Sequence, residues 1–411
     1  MLTDTHVFLQ GLEKLRDNSR SKAWELFQKS GLPSKQQEAF SYVSLDKLYK
    51  HNISCLAKTY FKKDLPEQIY PVRFVFVDGE LSLELSSLED LPQEVIYSTI
   101  EEAKKDFLSL ISSCEERFYQ ELDLNGLDYL NEACYKQGFF LYVPPKCILL
   151  HPIECLHIVN SSVSAAKNLI FIGKHAEVEF YHHALHQENH LYLARQEYHL
   201  EASSLCKLVF DQKSHKHGLC FQKIVARQKK DSHLSSCQVG QGGICQRNEY
   251  LVDLLEENSE VNLKGITALD SFDQNHVVIT VQHKAPNCRS HQHFKCLLNG
   301  SSRGSFEGKI WVAKQADKTQ AYQLCNHLVM SSKAHAFAKP NLEIFADDVK
   351  ASHGATIAQL SQEDLFYLKA RGLSSCEAKR LLIKGFFREI TQHLDENLQK
   401  KLEQDFFCQP Y

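Results

Sequence analysis

The densest grouping of side chains able to do chemistry is the run Lys339–Thr356, which places Asp347, Asp348, Lys350 and His353 within seven residues. An imidazole at His353 can accept or relay a proton and can ligate iron through a ring nitrogen. Gly354 beside it lets the backbone stay close to a partner. The same residues fit a plainer role, with the two aspartates capping a turn and the histidine filling a hydrogen-bonding slot. A second grouping, His283, Cys288, His291 and His293, has metal-ligand chemistry. In an extended strand His291 and His293 share a face about 7 Å apart and can converge on a zinc ion at ~2.0 Å. With 21 histidines in the chain such a pair also arises by chance, and a surface ladder or a core placement is the preferred reading.

Other chemistries are absent from the pattern. There is no GxxxxGK[ST], no GxGxxG between a strand and a helix, no GxSxG elbow and no HExxH. Gly240-Gln241-Gly242-Gly243 lacks a following Lys-Ser/Thr and reads as a turn. ATP hydrolysis by this chain is therefore not expected. A formal net charge of −4 offers no basic field for phosphate backbones, so nucleic acid is excluded as a partner. No window reaches the roughly 18 apolar residues needed to span a bilayer, and Met1–Arg20 lacks the pattern of a secretory signal. A soluble cytoplasmic protein is expected. The 14 cysteines contain no CxxC pair, and most read as small buried hydrophobes kept reduced.

At 411 residues the chain is too long for one ordinary compact domain, and an elongated repeat architecture fits as well as two or three regions. Phe8, Leu12 and Leu15 fall on one helical face, with Trp24 and Phe27 continuing it until Gly31-Leu32-Pro33. Val72, Phe74 and Phe76 alternate toward Asp78-Gly79, with Leu81 and Leu83 beyond, which predicts a hairpin with a type I′ turn. Ser98–Glu101 has a capping-box pattern ahead of a stripe of Ile100, Ala103, Phe107 and Ile111. From about residue 140 short period-two runs recur, among them Val178/Phe180, Cys206/Leu208/Phe210, Val261/Leu263 and Val277/Ile279/Val281. Turn signals there are often single glycines such as Gly173, Gly265 and Gly308, with few tight hairpin turns. This favours strands winding in one direction, as in a parallel β-helix, over a β-sandwich or jelly roll; no strict repeat length is readable. The end returns to helices: Ser361–Asp364 caps one carrying Leu365 and Leu368, with Gly372 at its C-cap. Ser374–Glu377 caps another carrying Ala378, Leu381, Leu382, Phe386 and Ile390, and Leu394, Leu398 and Leu402 mark a third. These helices are expected to cover the sheet edge of the β-helix. The expected architecture is mainly β, with an N-terminal α+β domain (1–138), a parallel β-helix core (139–357) and a C-terminal helical domain (358–411).

The run Lys339–Thr356 resembles the hallmark segment of the SufD branch of the SufB/SufD family, which serves the SUF system of iron–sulfur cluster assembly. The similarity continues through Leu365–Leu373, Glu377-Ala378, Leu381-Leu382 and Gly385-Phe386. Upstream it takes in Asn287, Gly308 and Ala316–Gln320, and near the start Gly31–Lys35 with Glu38, Phe40 and Tyr42. It implies a right-handed parallel β-helix between helical end domains. It also implies a scaffold subunit, not an enzyme, that pairs with a SufB-type subunit and binds a SufC-type ATPase through its C-terminal helices. Phe366, Tyr367, Arg371, Gly385 and Phe386 are the candidate contacts for that ATPase, although a core placement suits each aromatic as well. The family's functional histidine maps onto His353, which would help form a transient cluster with a cysteine supplied by SufB. No cofactor is expected to stay on the isolated chain, and a homodimer of the isolated chain is left open. Two positions before His353, where relatives often carry Cys, stands Ala351, so no thiolate is available there. SufB relatives usually follow this histidine with an acidic residue; here Gly354 follows. The competing readings are a SufB-like paralogue, a β-helical carbohydrate-active enzyme and a simple metal-binding protein. A carbohydrate enzyme needs carboxylates grouped on one face, and the strand region offers only Asp347-Asp348.

Overall fold

A computed structural model describes residues 17, 20–45, 58–121, 124–186, 190–213, 218–392, 394–396 and 398–400. The stripe expected at Phe8, Leu12 and Leu15, and Leu402, lie outside these residues. The strand-rich texture resolves into two long sheets wound from one continuous chain. Consecutive strands alternate between a ten-stranded sheet that runs from Glu80–Leu81 to Val349–Ala358 and a nine-stranded sheet that runs from Ile96–Ser98 to His335–Ile344. Apart from the two antiparallel pairings at the start (Phe76 with Leu81, Ile96 with Tyr142), neighbouring strands pair in parallel. The molecule is a parallel β-helix, as the one-directional winding of the sequence suggested.

Each coil takes between 26 residues, from Leu219 to its partner Cys245, and 32, from Arg303 to His335. One corner recurs throughout. Lys146, His175, Ser203, Asp231, Asn258, Asn287 and Lys318 each have a φ between 56° and 65°. Each donates its backbone N–H to a carbonyl of the next coil, from Lys174 through Ala202, Lys230, Glu257, Pro286 and Asp317 to Asp348. A left-handed residue once per coil turns the chain sharply while keeping its polar groups paired.

The period-two runs fill the interior. Val178, Phe180, Cys206, Leu208, Phe210, Val261, Leu263, Val277, Ile279 and Val281 share one buried cluster. Gly173 closes a strand, but Gly265 and Gly308 lie within strands Glu260–Leu269 and Arg303–Val312 and mark no turns. At Gly265 the reason is steric: an added Cβ would meet the Phe294 ring at 2.4 Å. The Asp78-Gly79 turn forms with φ of 51° and 86°, the type I′ signature, though its return strand is only Glu80–Leu81 and Leu83 is exposed. Val72–Val77 pairs in parallel with Ile153–Val159 and so starts the solenoid well before residue 139. Among the described cysteines only Cys376 is exposed.

Three N-terminal helices, α1 (Ser21–Ser30), α2 (Ile100–Phe118) and α3 (Gly126–Cys134), pack on the outer face of the nine-stranded sheet. Trp24, Phe27, Ile100, Ala103 and Ile111 meet Leu169, Phe171 and Leu193 there. The cap of α2 is Thr99 with Glu102, one residue beyond the Ser98–Glu101 expectation, and Phe107 sits at a kink. Lys167 pairs with Glu132 at 2.8 Å, and Arg195 with Glu121 at 2.6 Å, tying this layer to the sheet through buried charges.

At the C-terminus α4 (Gln362–Ala370) is capped by Ser361 as expected, and Gly372 has φ 96°. However, α4 buries no residue, and Leu365 and Leu368 are only partly covered. The capping box of α5 (Ser375–Thr391) forms between Ser374 and Glu377. Its buried stripe is Ala378, Ile383, Phe387 and Ile390, rotated away from the expected Leu381, Leu382 and Phe386. That stripe lies against Ile266, Leu297 and Leu328 on the flank of the ten-stranded sheet, so the expectation that these helices cover the sheet edge is corrected. Among the described residues the last strands, His335–Ile344 and Val349–Ala358, are each paired within their sheets on one side only.

Placing a methyl group at Gly265 is expected to overpack the core. Gly265→Ala should lower stability by about 1–3 kcal/mol in urea denaturation; an unchanged midpoint would mean that the Phe294 ring swings aside freely.

Candidate functional site at the open end of the solenoid

The strand register decides where His353 points. Ile153, Phe180, Leu208, Ser236, Leu263, Gln292, Gln323 and His353 form one continuous ladder of paired residues. Its apolar members Ile153, Phe180, Leu208 and Leu263 lie in the core. His353 is therefore on the inward-facing row, but it stands on the last rung and is exposed. The row turns polar as it nears that end: Gln292 and Gln323 are buried, and Gln323 donates to the Asn341 carbonyl at 3.0 Å. Ala351 pairs with the fully buried Ala321 and shares the inward face with His353. A cysteine there would have set a thiol beside the imidazole. Asp347, Asp348 and Lys350 are exposed around the final corner, where the Asp348 carbonyl accepts the Lys318 N–H.

One rung inward stands a pair that the sequence reading passed over. Cys325 Sγ lies 3.3 Å from His327 Nε2, and that nitrogen also faces the Phe337 carbonyl at 3.1 Å. Burial pushes the Cys325 thiol well above its ordinary value and holds His327 down to about 4, the bond to Phe337 only partly opposing it. The pair is a neutral thiol beside a neutral imidazole. Its only sequence signal is Cys-x-His in a strand, where period two brings both side chains to one face.

The second grouping does not converge. His283 is buried, with Nε2 2.8 Å from Ser290 Oγ, and Cys288 is buried, its thiol facing the Glu256 carbonyl at 3.4 Å. His291 and His293 lie with ring centroids 6.5 Å apart; His293 contacts Asn326 at 3.1 Å and approaches Glu389 of α5 at 3.7 Å. Among the described residues these four form no cluster of metal-ligand atoms, and the ladder and core placements describe them.

Phe366 and Tyr367 on α4 are 76% and 57% exposed, which removes the core alternative for both. The Arg371 guanidinium lies 5.2 Å from the Tyr367 ring and donates to its hydroxyl at 3.1 Å. Gly385 is exposed on α5, whereas Phe386 is partly buried, with the Lys295 ammonium 5.3 Å from its ring. Leu381, expected in the core, is 49% exposed on α5.

Residues 157–386 match the family model described as "SUF system FeS cluster assembly, SufBD core domain", and residues 5–155 match "SufBD protein N-terminal region". The chain belongs to the SufBD family. It is 27% identical to an iron–sulfur cluster assembly SufBD family protein of Synechocystis sp., across 95% of this chain and 90% of the relative. It is 26% identical to the iron–sulfur cluster assembly protein SufD of Escherichia coli, across 91% and 88%. It is 24% identical to Protein ABCI7, chloroplastic, of Arabidopsis thaliana, across 93% and 82%. These matches make the chain an iron–sulfur cluster assembly protein of the SUF system and agree with the resemblance carried by Lys339–Thr356.

Burial also gives this SufBD chain an acid sensitivity. His283 is held down to about 3 and His327 to about 4, both chiefly by desolvation. Their unfolded imidazoles take up a proton near pH 6.5 while the folded ones do not. Stability is therefore fully present above about pH 6.5 and falls as pH drops toward 4, by about 1.4 kcal/mol per pH unit for each group. Urea denaturation between pH 6 and 4.5 should show His327→Gln flattening that slope by about one such increment, and an unaltered slope would mean that His327 is already protonated in the folded chain.

Proposed function

We propose that this chain is a non-ATPase scaffold subunit whose open solenoid end joins a SufB-type partner, with a nascent iron–sulfur cluster built as cargo at that junction. The observation that carries this reading is the position of His353, an inward-row imidazole left exposed on the last rung, on one of the two final strands that among the described residues each keep a free edge. A free edge offers main-chain donors and acceptors to an incoming strand. A neutral imidazole is a suitable iron ligand. With Ala351 in place of a thiol, this chain contributes the imidazole and the partner supplies thiolate. The name of the Escherichia coli relative, iron–sulfur cluster assembly protein SufD, supports the SufD branch over a SufB-like paralogue, as does Gly354 after the histidine.

The chain has no phosphate-binding loop, so ATP turnover falls to a SufC-type partner. The exposed Phe366 and Tyr367 on α4, with Leu381 on α5, are the proposed docking face for it. ATP turnover there would shift the junction between two arrangements only as far as the partner binds them differently. Among the described residues no helix is long and apolar enough to cross a membrane. We keep a cytoplasmic location within the proposal, while the chloroplastic name of the Arabidopsis relative indicates that compartments vary among similar proteins.

The test is co-expression with the SufB-type and SufC-type subunits of the same organism. His353→Ala should leave the complex assembled and lower its iron and sulfide content by at least about tenfold, the scale expected when a metal ligand is lost. Failure of the wild-type chain to associate with either subunit would sink the scaffold reading. Joint substitution of Phe366 and Tyr367 by Asp should release the ATPase while changing the stability of the isolated chain by less than about 0.5 kcal/mol, because both side chains are exposed. Retention of the ATPase by that variant would move the docking face elsewhere.

A further inference from the structure

Away from the open end, helix α2 meets the outer face of the nine-stranded sheet in a cluster that the proposed function does not use. Glu197 and His199 are two residues apart on strand Leu191–Leu200 and so share a face. Cys114, in the last turns of α2, reaches down onto them. Its Sγ lies 3.3 Å from His199 Nε2, which lies 3.7 Å from Glu197 Oε2, and the three ligand atoms are all within 4.8 Å of one another. We propose that Cys114, Glu197 and His199 bind a zinc ion that clips the N-terminal helical layer to the solenoid wall.

The geometry is that of a tetrahedron short of its centre. With bonds of about 2.3 Å to sulfur and about 2.0–2.1 Å to nitrogen or oxygen, tetrahedral angles separate neighbouring ligand atoms by about 3.4–3.6 Å. The Sγ–Nε2 and Nε2–Oε2 distances lie within a few tenths of an ångström of that range, and the sulfur and the carboxylate oxygen are within 4.8 Å of each other. Two of the three residues, His199 and Glu197, are already oriented by neighbours. The His199 ring stacks on Phe171 at 4.5 Å and 10°, and Arg195 Nε holds Glu197 Oε1 at 2.7 Å, leaving Oε2 toward the other two. A mixed thiolate, imidazole and carboxylate set suits zinc better than it suits magnesium or calcium.

Two features work against a cation, and the structure answers both. Arg227 Nη1 donates to Glu197 Oε2 at 3.1 Å, but the same guanidinium also bonds Glu121 at 3.0 Å and lies 3.8 Å from Asp253, so it can release Glu197 without becoming unpaired. Burial keeps the Cys114 thiol protonated, pushed up to about 12. Binding breaks its S–H bond, the proton leaves to solvent, and the sulfur lone pair forms the S–Zn bond. The exchange adds one net positive charge, against which stand the carboxylates of Glu197 and Glu121. Among the described residues Glu121 Oε2 is buried without a hydrogen-bond partner.

The experiment titrates the purified, chelator-treated full chain with cobalt(II), a spectroscopic stand-in for zinc. One equivalent should produce a sulfur-to-cobalt charge-transfer band together with the visible bands of a tetrahedral ion. Both should disappear in Cys114→Ser and His199→Gln and persist in Cys376→Ser, which removes the exposed cysteine. Zinc should raise the Tm of the wild-type chain and of Cys376→Ser only. No band in the wild type, or a band that survives Cys114→Ser, overturns the proposal. Should the buried variants fail to fold, zinc-edge X-ray absorption on the wild-type chain decides: one sulfur among the ligands supports the site, and nitrogen and oxygen ligands alone reject it.

Discussion

Everything in this molecule depends on successive coils keeping the same phase. Side chains alternate across a strand with a period of two, so a slip of one residue in any coil would turn its inward row out and expose the core. The structure guards that phase with a left-handed residue at the same corner of each coil, whose N–H bonds a carbonyl one coil further on. The corner resets the register every turn, and the differences in coil length, from 26 to 32 residues, are taken up elsewhere along the path. Because the phase never slips from Ile153 onward, the orientation of His353 is inherited from apolar residues many coils away.

A solenoid of this kind has to end, and its ends are where stacking leaves hydrogen bonds unmade. Here the two flanks are treated differently from the end. Helices α1 to α3 seal one sheet with apolar contacts and buried ion pairs, and α5 seals part of the other. The final rung stays uncovered among the described residues, and the inward row that carries His353 turns polar toward it through Gln292 and Gln323. Buried glutamines are a poor choice for stability alone, since each amide needs partners that an apolar core cannot offer. Their position just behind an exposed histidine suits an end that is meant to meet something polar.

The parts of the fold that were legible in the sequence are those set by local chemistry. Alternating apolar runs become inward rows, Asp78-Gly79 makes its type I′ turn, and Ser374 with Glu377 caps α5. The coil period was hidden because its corner residue is Lys, His, Ser, Asp or Asn, with no glycine to mark it, while the glycines that stand out, Gly265 and Gly308, sit inside strands. The stripe of α5 was misread because Leu381, Leu382 and Phe386 are as apolar as the Ile383, Phe387 and Ile390 face that is actually buried. Only the flank of the sheet decides between them. For the site, the Lys339–Thr356 run drew attention to His353 but could not show that it stands on the last rung, and Cys325 with His327 became a pair only once the register was known.

The chain's own ligands then set what it can do with iron. Burial raises the Cys288 and Cys325 thiols, so neither offers iron a ready thiolate at neutral pH. Ala351 stands at a position where a thiol would share the exposed rung with His353. A lone neutral imidazole at a surface holds iron weakly, because it supplies one donor and no charge. In the proposed reading that weakness is useful. A subunit that bound a cluster tightly by itself would have to be forced to release it, whereas one that adds a single nitrogen to a set completed by its partner holds the cargo only while the junction is closed. In that proposal the open edge and the single histidine are two halves of one constraint: the strands would make the contact, and the contact would complete the ligand set.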